Sequence, residues 1–123
     1  MGHVHAKVRF YNPSDLARSL EAELLVDTGS TYTWLRRERL MELGIRPTGR
    51  RRFRMADGRL VEREVGEAVV ECLGERATTI VVFGLEGDAE VLGVHALEGL
   101  GLQVDPTTGE LRRAEAILAV WAA

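Results

Sequence analysis

Leu24-Leu25-Val26-Asp27-Thr28-Gly29-Ser30-Thr31 is the stretch on which the fold turns. Three apolar residues run straight into a carboxylate, which is costly to bury unless it is hydrogen-bonded or has work to do. Gly29 follows two residues later and permits a close backbone approach and an unusual turn. Thr28 and Ser30 place hydroxyls on either side. Taken alone, the stretch also reads as a strand end closed by an Asx-type turn, with Asp27 bonded to nearby amides.

Outward from this point the pattern is that of many short strands. Glu21 to Asp27 begins mixed and ends apolar, a strand entering a core. His3 to Phe10 alternates apolar with polar, the period of a half-buried strand, and Asn12-Pro13-Ser14-Asp15 is turn chemistry. Between Arg36 and Leu43 the leucines fall at helical spacing, with Gly44 placed to cap the end. Arg51 to Met55 and Leu60 to Val65 flank Ala56-Asp57-Gly58-Arg59. Asp-Gly between extended segments signals a hairpin, because a type I′ turn needs positive φ at both central residues. Ala68 to Leu73 and Ala77 to Phe83 read as a second hairpin through Gly74-Glu75. After the acidic turn Glu86-Gly87-Asp88 come Val91-Leu92-Gly93 and a helical stretch around Ala96 to Leu100. Leu102 to Val104 and Glu110 to Arg112 flank one more turn, while Ala114 to Ala123 reads equally as helix or edge strand. The expected fold class is all-β, a closed barrel or sandwich with one or two short helices.

Composition narrows the function. The 123 residues are 46% hydrophobic and 28% charged, which suits one ordinary soluble domain spanning 1–123. No apolar run approaches the ~20 residues needed to cross a bilayer, and Met1 to His5 lacks the pattern of an export signal. The expected location is cytoplasmic, with no membrane partner. Nine arginines crowd residues 36 to 59, against a net charge of −3 for the chain. With only Phe53 as aromatic interleaving, the cluster is read as a solvated basic face or a lining for acidic substrates, and no nucleic-acid partner is expected. Cys72 is the single cysteine, so an internal disulfide and a cysteine-based zinc site are both excluded; it is read as a small core residue. His3 and His5 share a strand face, but the N-terminus is read as mobile rather than metal-binding. No metal and no cofactor are expected.

The order of these elements resembles the retropepsin-like aspartic proteases (clan AA), the single-domain relatives of pepsin that include the retroviral enzymes, and more narrowly their prokaryotic members. The resemblance rests on Val-Asp-Thr-Gly-Ser, the helix ending at Leu43-Gly44, the hairpin Met55 to Arg59, and Val91-Leu92-Gly93 about 64 residues after Asp27. It spans roughly residues 4 to 113.

The resemblance implies an aspartic endopeptidase. Two carboxylates held near contact cannot both ionise cheaply, so the pair keeps one proton and activates a water. Asp15, Asp57, Asp88 and Asp105 lack the Thr-Gly that follows Asp27, so the second carboxylate is expected from Asp27 of another copy, in a two-fold homodimer. By the same resemblance Thr28 bonds the opposite loop, the Gly29 amide supports the carboxylate, and Ser30 hydrogen-bonds it. That last contact predicts that Ser30→Ala moves the acid limb of the pH–rate profile upward. Met55, Ala56, Asp57, Gly58 and Arg59 become the tip of a flap over an extended peptide or protein substrate, unless they are only a solvated hairpin arm. Val91, Leu92 and Gly93 pack beneath the catalytic loop, with Val94 and His95 where retroviral members carry an ionic network. Trp34 is expected to fill the core, the site wall or the subunit contact, and the tail 114–123 to serve the dimer. The rival reading is a non-catalytic homodimeric module on the same fold that binds peptides by strand addition.

Overall fold

The alternation Ala6, Val8, Phe10 places every second side chain of β1 (His5–Asn12) in the core of the computed structural model, which describes residues 4–119. His5 is an exposed residue of this paired strand, not part of a loose terminus; His3 lies outside the described residues. The Asn12 side chain makes the turn, its Oδ1 accepting from the Ser14 amide at 2.8 Å. β2 (Asp15–Val26) then runs back along β1 from Asn12↔Asp15 to His5↔Leu25. The expected segment from Glu21 is only its second half. Asp15 to Ser19 is exposed, and the register shifts between Tyr11↔Ser19 and Asn12↔Asp15, so Leu16 to Arg18 bulge out of the ladder with β1 and carry no hydrophobic signature.

β3 (Thr33–Arg36) leads directly into α1 (Arg37–Glu42), a shorter helix than the expected Arg36 to Leu43. Leu35, Leu40 and Leu43 are buried. Gly44, at φ +86°, ends the helix, and its last carbonyls are met by the Arg18 guanidinium (Glu42 O, 2.7 Å) and the Asn12 amide (Leu43 O, 3.1 Å).

β4 (Gly49–Arg54) and β5 (Leu60–Cys72) form the first hairpin, and β5 pairs on with β6 (Glu75–Gly84). The expected strands Leu60 to Val65 and Ala68 to Leu73 are one 13-residue strand. Gly66 is not a break within it. A Cβ there would stand 3.0 Å from the Arg46 carbonyl and 3.1 Å from the Phe83 ring, so a side chain would force these neighbours to shift. Both turns correct the reading from sequence. At Ala56-Asp57-Gly58 only Gly58 has positive φ, with Met55 N–H bonded to Arg59 O at 2.8 Å. This is a three-residue loop closed by one left-handed residue, not type I′. Positive φ at two central residues occurs instead at Leu73-Gly74, one position before the expected Gly74-Glu75.

β7 (Val91–Leu92) is two residues long, followed by α2 (Val94–Leu100), which stops at left-handed Gly101. β8 (Leu102–Val104) and β9 (Leu111–Arg113) form a separate two-stranded sheet. Residues 114–119 are neither helix nor strand; Val120 and Trp121 of the tail lie outside the described residues.

Strand order is β1-β2-β7-β3-β6-β5-β4, and β1 also pairs with β5 from Arg9↔Glu71 to Tyr11↔Val69. The sheet thereby closes on itself, with β4 carried outside the ring. The fold is an all-β retropepsin-like barrel with two short helices. Inside it Phe10, Leu24, Leu35, Leu40, Phe83 and Leu92 are wholly buried. Each such side chain is worth roughly 1.5–3 kcal/mol of transfer free energy. A second cluster (Trp34, Val65, Val82 and Val91) backs the hairpin side, with Phe53 and Met55 against it. Among the described residues no helix is long and apolar enough to cross a membrane.

Candidate active site

β7 is wedged between the two strands that flank the Asp27 loop. It runs parallel to β2 (Leu25↔Val91, Val26↔Leu92) and antiparallel to β3 (Trp34↔Val91). The Asp27 amide donates to the Leu92 carbonyl at 3.0 Å. Beyond it, Val94 N–H bonds Ser30 O at 2.8 Å and His95 N–H bonds Thr31 O at 3.0 Å. Gly93 N–H donates to the hydroxyl of fully buried Thr33 at 3.1 Å. Val91-Leu92-Gly93 and the first turn of α2 thus satisfy the polar backbone of the loop from beneath, as buried groups require.

The carboxylate of Asp27 stands half-buried at the end of β2. Its Oδ1 accepts the Gly29 amide at 2.9 Å, and the Asp27 carbonyl accepts the Ser30 amide at 3.1 Å. A Cβ at residue 29 would stand 3.3 Å from that same oxygen, so glycine leaves the approach open. The Gly29 contact is the one the sequence led us to expect. The Ser30 contact is not: its hydroxyl donates to the Tyr32 carbonyl at 2.8 Å. The loop curls so that this acceptor, two residues on, satisfies the hydroxyl. Thr28 is exposed within the protomer and borders a depression formed with α2, β8 and residues 114–117.

Above Asp27 lies a cavity of about 580 Å³. Its walls include Gly29, Ser30, Trp34 and Val91 from the barrel, with Met55 and Ala56 from the hairpin. Leu92 and Gly93 are buried below. Of the five hairpin residues singled out, two therefore line the cavity with Asp27. Asp57, Gly58 and Arg59 form the exposed tip, where Asp57 holds the Arg59 amide (3.0 Å) and guanidinium (2.8 Å). Those two bonds, the amide's first, keep the Asp57 carboxyl below the usual carboxylate range.

Trp34 is both nearly buried and a wall of the cavity, where its ring meets Phe53 at 5.0 Å between centroids. Phe53 meets Tyr32 edge-on at 6.2 Å, and Tyr32 meets the exposed His95 at 5.8 Å. Arg51 lies over the Tyr32 ring and donates to its hydroxyl. This aromatic chain joins the Asp27 loop to the outer arm of the hairpin, and nothing local in the sequence announces it. Arg54 and Ala89 also line the cavity and were not singled out. The remaining aspartates are otherwise engaged. Asp88 takes both prongs of Arg63 at 2.7 and 3.1 Å, Asp105 binds Arg112 at 3.2 Å, and Asp15 accepts the Ala17 amide at 3.2 Å.

Cys72 is buried in β5, which pushes its thiol above the ordinary value and suits a core residue rather than a nucleophile. Among the described residues no group of three or more His, Cys, Asp or Glu side chains is placed to hold a metal ion. No curated protein gives a significant match to the chain. A family model described as aspartyl protease matches residues 16–94, from the start of β2 through the Asp27 loop and the hairpin to the first residue of α2. The match takes in well over half of the chain, and the chain belongs to the aspartyl protease family.

Proposed function

We propose that the protein is an aspartic endopeptidase that acts as a homodimer, with Asp27 of each protomer supplying one half of the catalytic pair. The observation that carries this reading is the placement of the Asp27 carboxylate. It is oriented by the Gly29 amide and opens into a cavity roofed by the hairpin residues Met55 and Ala56.

Two such carboxylates across a two-fold axis share one proton, since the second ionisation would set like charges in contact. The ionised member takes a proton from a water lying between them, and the resulting hydroxide attacks the peptide carbonyl. The protonated member gives its proton to the carbonyl oxygen. Collapse of the tetrahedral intermediate expels the amine, which is protonated from the pair, and the starting state is restored. Thr28, exposed in the protomer, bonds the opposite loop and holds the two carboxylates coplanar. Met55 to Arg59 act as the flap, excluding water once an extended peptide is in place. Residues 1–123 form one domain whose tail, 114–123, contributes to the dimer contact. Described tail residues Ile117 and Leu118 are almost fully exposed, as such a role requires. A cytoplasmic place of action belongs to the same reading.

The test is cleavage of a peptide library between about pH 3 and 7, with Asp27→Asn as control and a statine-type inhibitor. Cleavage that disappears with the substitution and with the inhibitor supports the assignment. Cleavage surviving Asp27→Asn removes it, and peptide binding without any cleavage makes the protein a binding module on the same fold.

A further inference from the structure

The hairpin over the cavity carries an uncompensated positive charge at one defined place. Residues 49–65 hold three acids, and each is taken: Asp57 by Arg59 (2.8 Å), Glu62 by Arg50 (2.8 Å) and Glu64 by Arg37 (2.9 Å). Arg63 is spent on Asp88 at 2.7 Å. Arg51, Arg52 and Arg54 have no carboxylate within ion-pair distance among the described residues. Arg51 rests on the neutral ring and hydroxyl of Tyr32. Arg54 gives one N–H to the Gly58 carbonyl at 2.9 Å, again a neutral partner, and its other donors are unmatched among the described residues. Arg54 is also the one cation among the residues lining the cavity that holds Asp27. Trp34, Met55, Ala56 and Val91 around it are uncharged.

We propose that the substrate is an acidic peptide: the segment held between Asp27 and the flap carries a carboxylate side chain, and Arg54 is its counter-charge. This inference rests on the endopeptidase reading and specifies its substrate class. A guanidinium has five N–H donors in a planar fork, so one bond to Gly58 leaves enough to grip a carboxylate with two. The Gly58 bond fixes the fork in advance, which reduces the ordering cost on binding. The apolar walls accept apolar side chains beside the acidic one. Asp27 repels a second carboxylate, so the acidic side chain lies toward the flap, away from the catalytic pair. Arg52, two residues back on the same face of β4, adds to the positive field around Arg54.

The experiment compares matched peptide sets that differ only in Asp or Glu against Asn or Gln at the positions flanking the scissile bond. The acidic set is expected to be favoured about three- to tenfold in kcat/KM, with the gap narrowing as salt is raised. Arg54→Gln brings the ratio toward one, and Arg54→Lys retains part of it. Arg46→Gln removes the same charge from an exposed residue that does not line the cavity, and leaves the ratio as it was. Equal cleavage of both sets overturns the inference and leaves the endopeptidase reading standing. Binding of the same labelled peptides to the Asp27→Asn protein, read by fluorescence anisotropy, tests the preference without turnover. An acidic preference there that Arg54→Gln abolishes upholds the inference; binding blind to charge overturns it. If Arg54→Gln fails to fold by circular dichroism, the Arg54→Lys protein and the salt series decide.

Discussion

Gly93 sits so tightly against Tyr32 that a Cβ on it would run into the Tyr32 carbonyl oxygen and stand 2.9 Å from that of Ser30. Both obstacles are backbone atoms of the loop that carries Asp27, and neither can rotate away. Gly93→Ala is therefore expected to cost about 3 kcal/mol or more in urea denaturation and to displace the Asp27 loop. Gly99→Ala is the control. It lies within α2, where the added methyl meets only the Ala77 Cβ at 3.5 Å, an ordinary contact. It is expected to stabilise by about 0.5–1 kcal/mol, because glycine is a poor helix residue. Equal effects from the two would contradict the packing described for β7.

Ser30→Ala removes the hydrogen bond to the Tyr32 carbonyl and leaves the Asp27–Gly29 contact in place. The expected result is a stability loss of about 1 kcal/mol with the acid limb of the pH–rate profile unmoved. This reverses the expectation from sequence. A limb shifted upward in a clean kinetic comparison would show that the hydroxyl reaches the carboxylate in solution.

Mixing tests whether two copies of Asp27 make one site. If subunits exchange freely and a mixed dimer is dead, adding an equal amount of Asp27→Asn protein lowers total activity to about half. Activity that stays constant after exchange, monitored with differently tagged subunits, would assign a complete site to each protomer.

The Arg63–Asp88 pair ties β5, the strand leaving the hairpin, to the loop before β7, with side chains only 14% and 8% exposed. The bond from Arg63 holds the Asp88 carboxyl below its ordinary value, with a further contribution from the Leu85 amide. A carboxyl whose pKa is depressed by folding stabilises above its unfolded value of ~3.9. That contribution is lost as pH falls through the folded value. Asp88→Asn is expected to cost on the order of 2–4 kcal/mol at pH 7, since it strands a largely buried arginine. The difference between the two proteins should shrink steadily in acid. A gap independent of pH down to the acid unfolding transition would mean that packing, not charge, is what the substitution removes.

What could be read in advance follows a physical pattern. β1 was legible because one of its faces is buried and the other is not, so burial writes a period of two into Ala6, Val8 and Phe10. The first half of β2 was not, because Asp15 to Ser19 is exposed and bulges where the register with β1 shifts, so burial writes no period into it. β5 looked like two strands because glycine is a local breaker. Gly66 fits there because the Phe83 ring and the Arg46 carbonyl, distant in sequence, leave little room for a side chain. In the site, the Gly29 support of Asp27 was legible because it spans two residues of backbone. The hydroxyl of Ser30 had two acceptors within reach, and the curl of the loop over β7 chose between them.

By itself, then, the order of residues determined which side chain carries the acid, which glycine must stand beside it, and that short strands enclose them. These are local matters, set by backbone stereochemistry and by the period with which apolar residues recur. Only the folded chain decided that Leu92 would receive the Asp27 amide, that Met55 and Ala56 rather than Asp57 would line the cavity with Asp27, and that Arg54 would have no carboxylate partner among the described residues. Such outcomes depend on closure of the barrel between β1 and β5, which brings together segments separated by tens of residues. Which charge finds a partner there is settled by the competition of neighbours in space, and the linear order of the chain holds no record of who those neighbours will be.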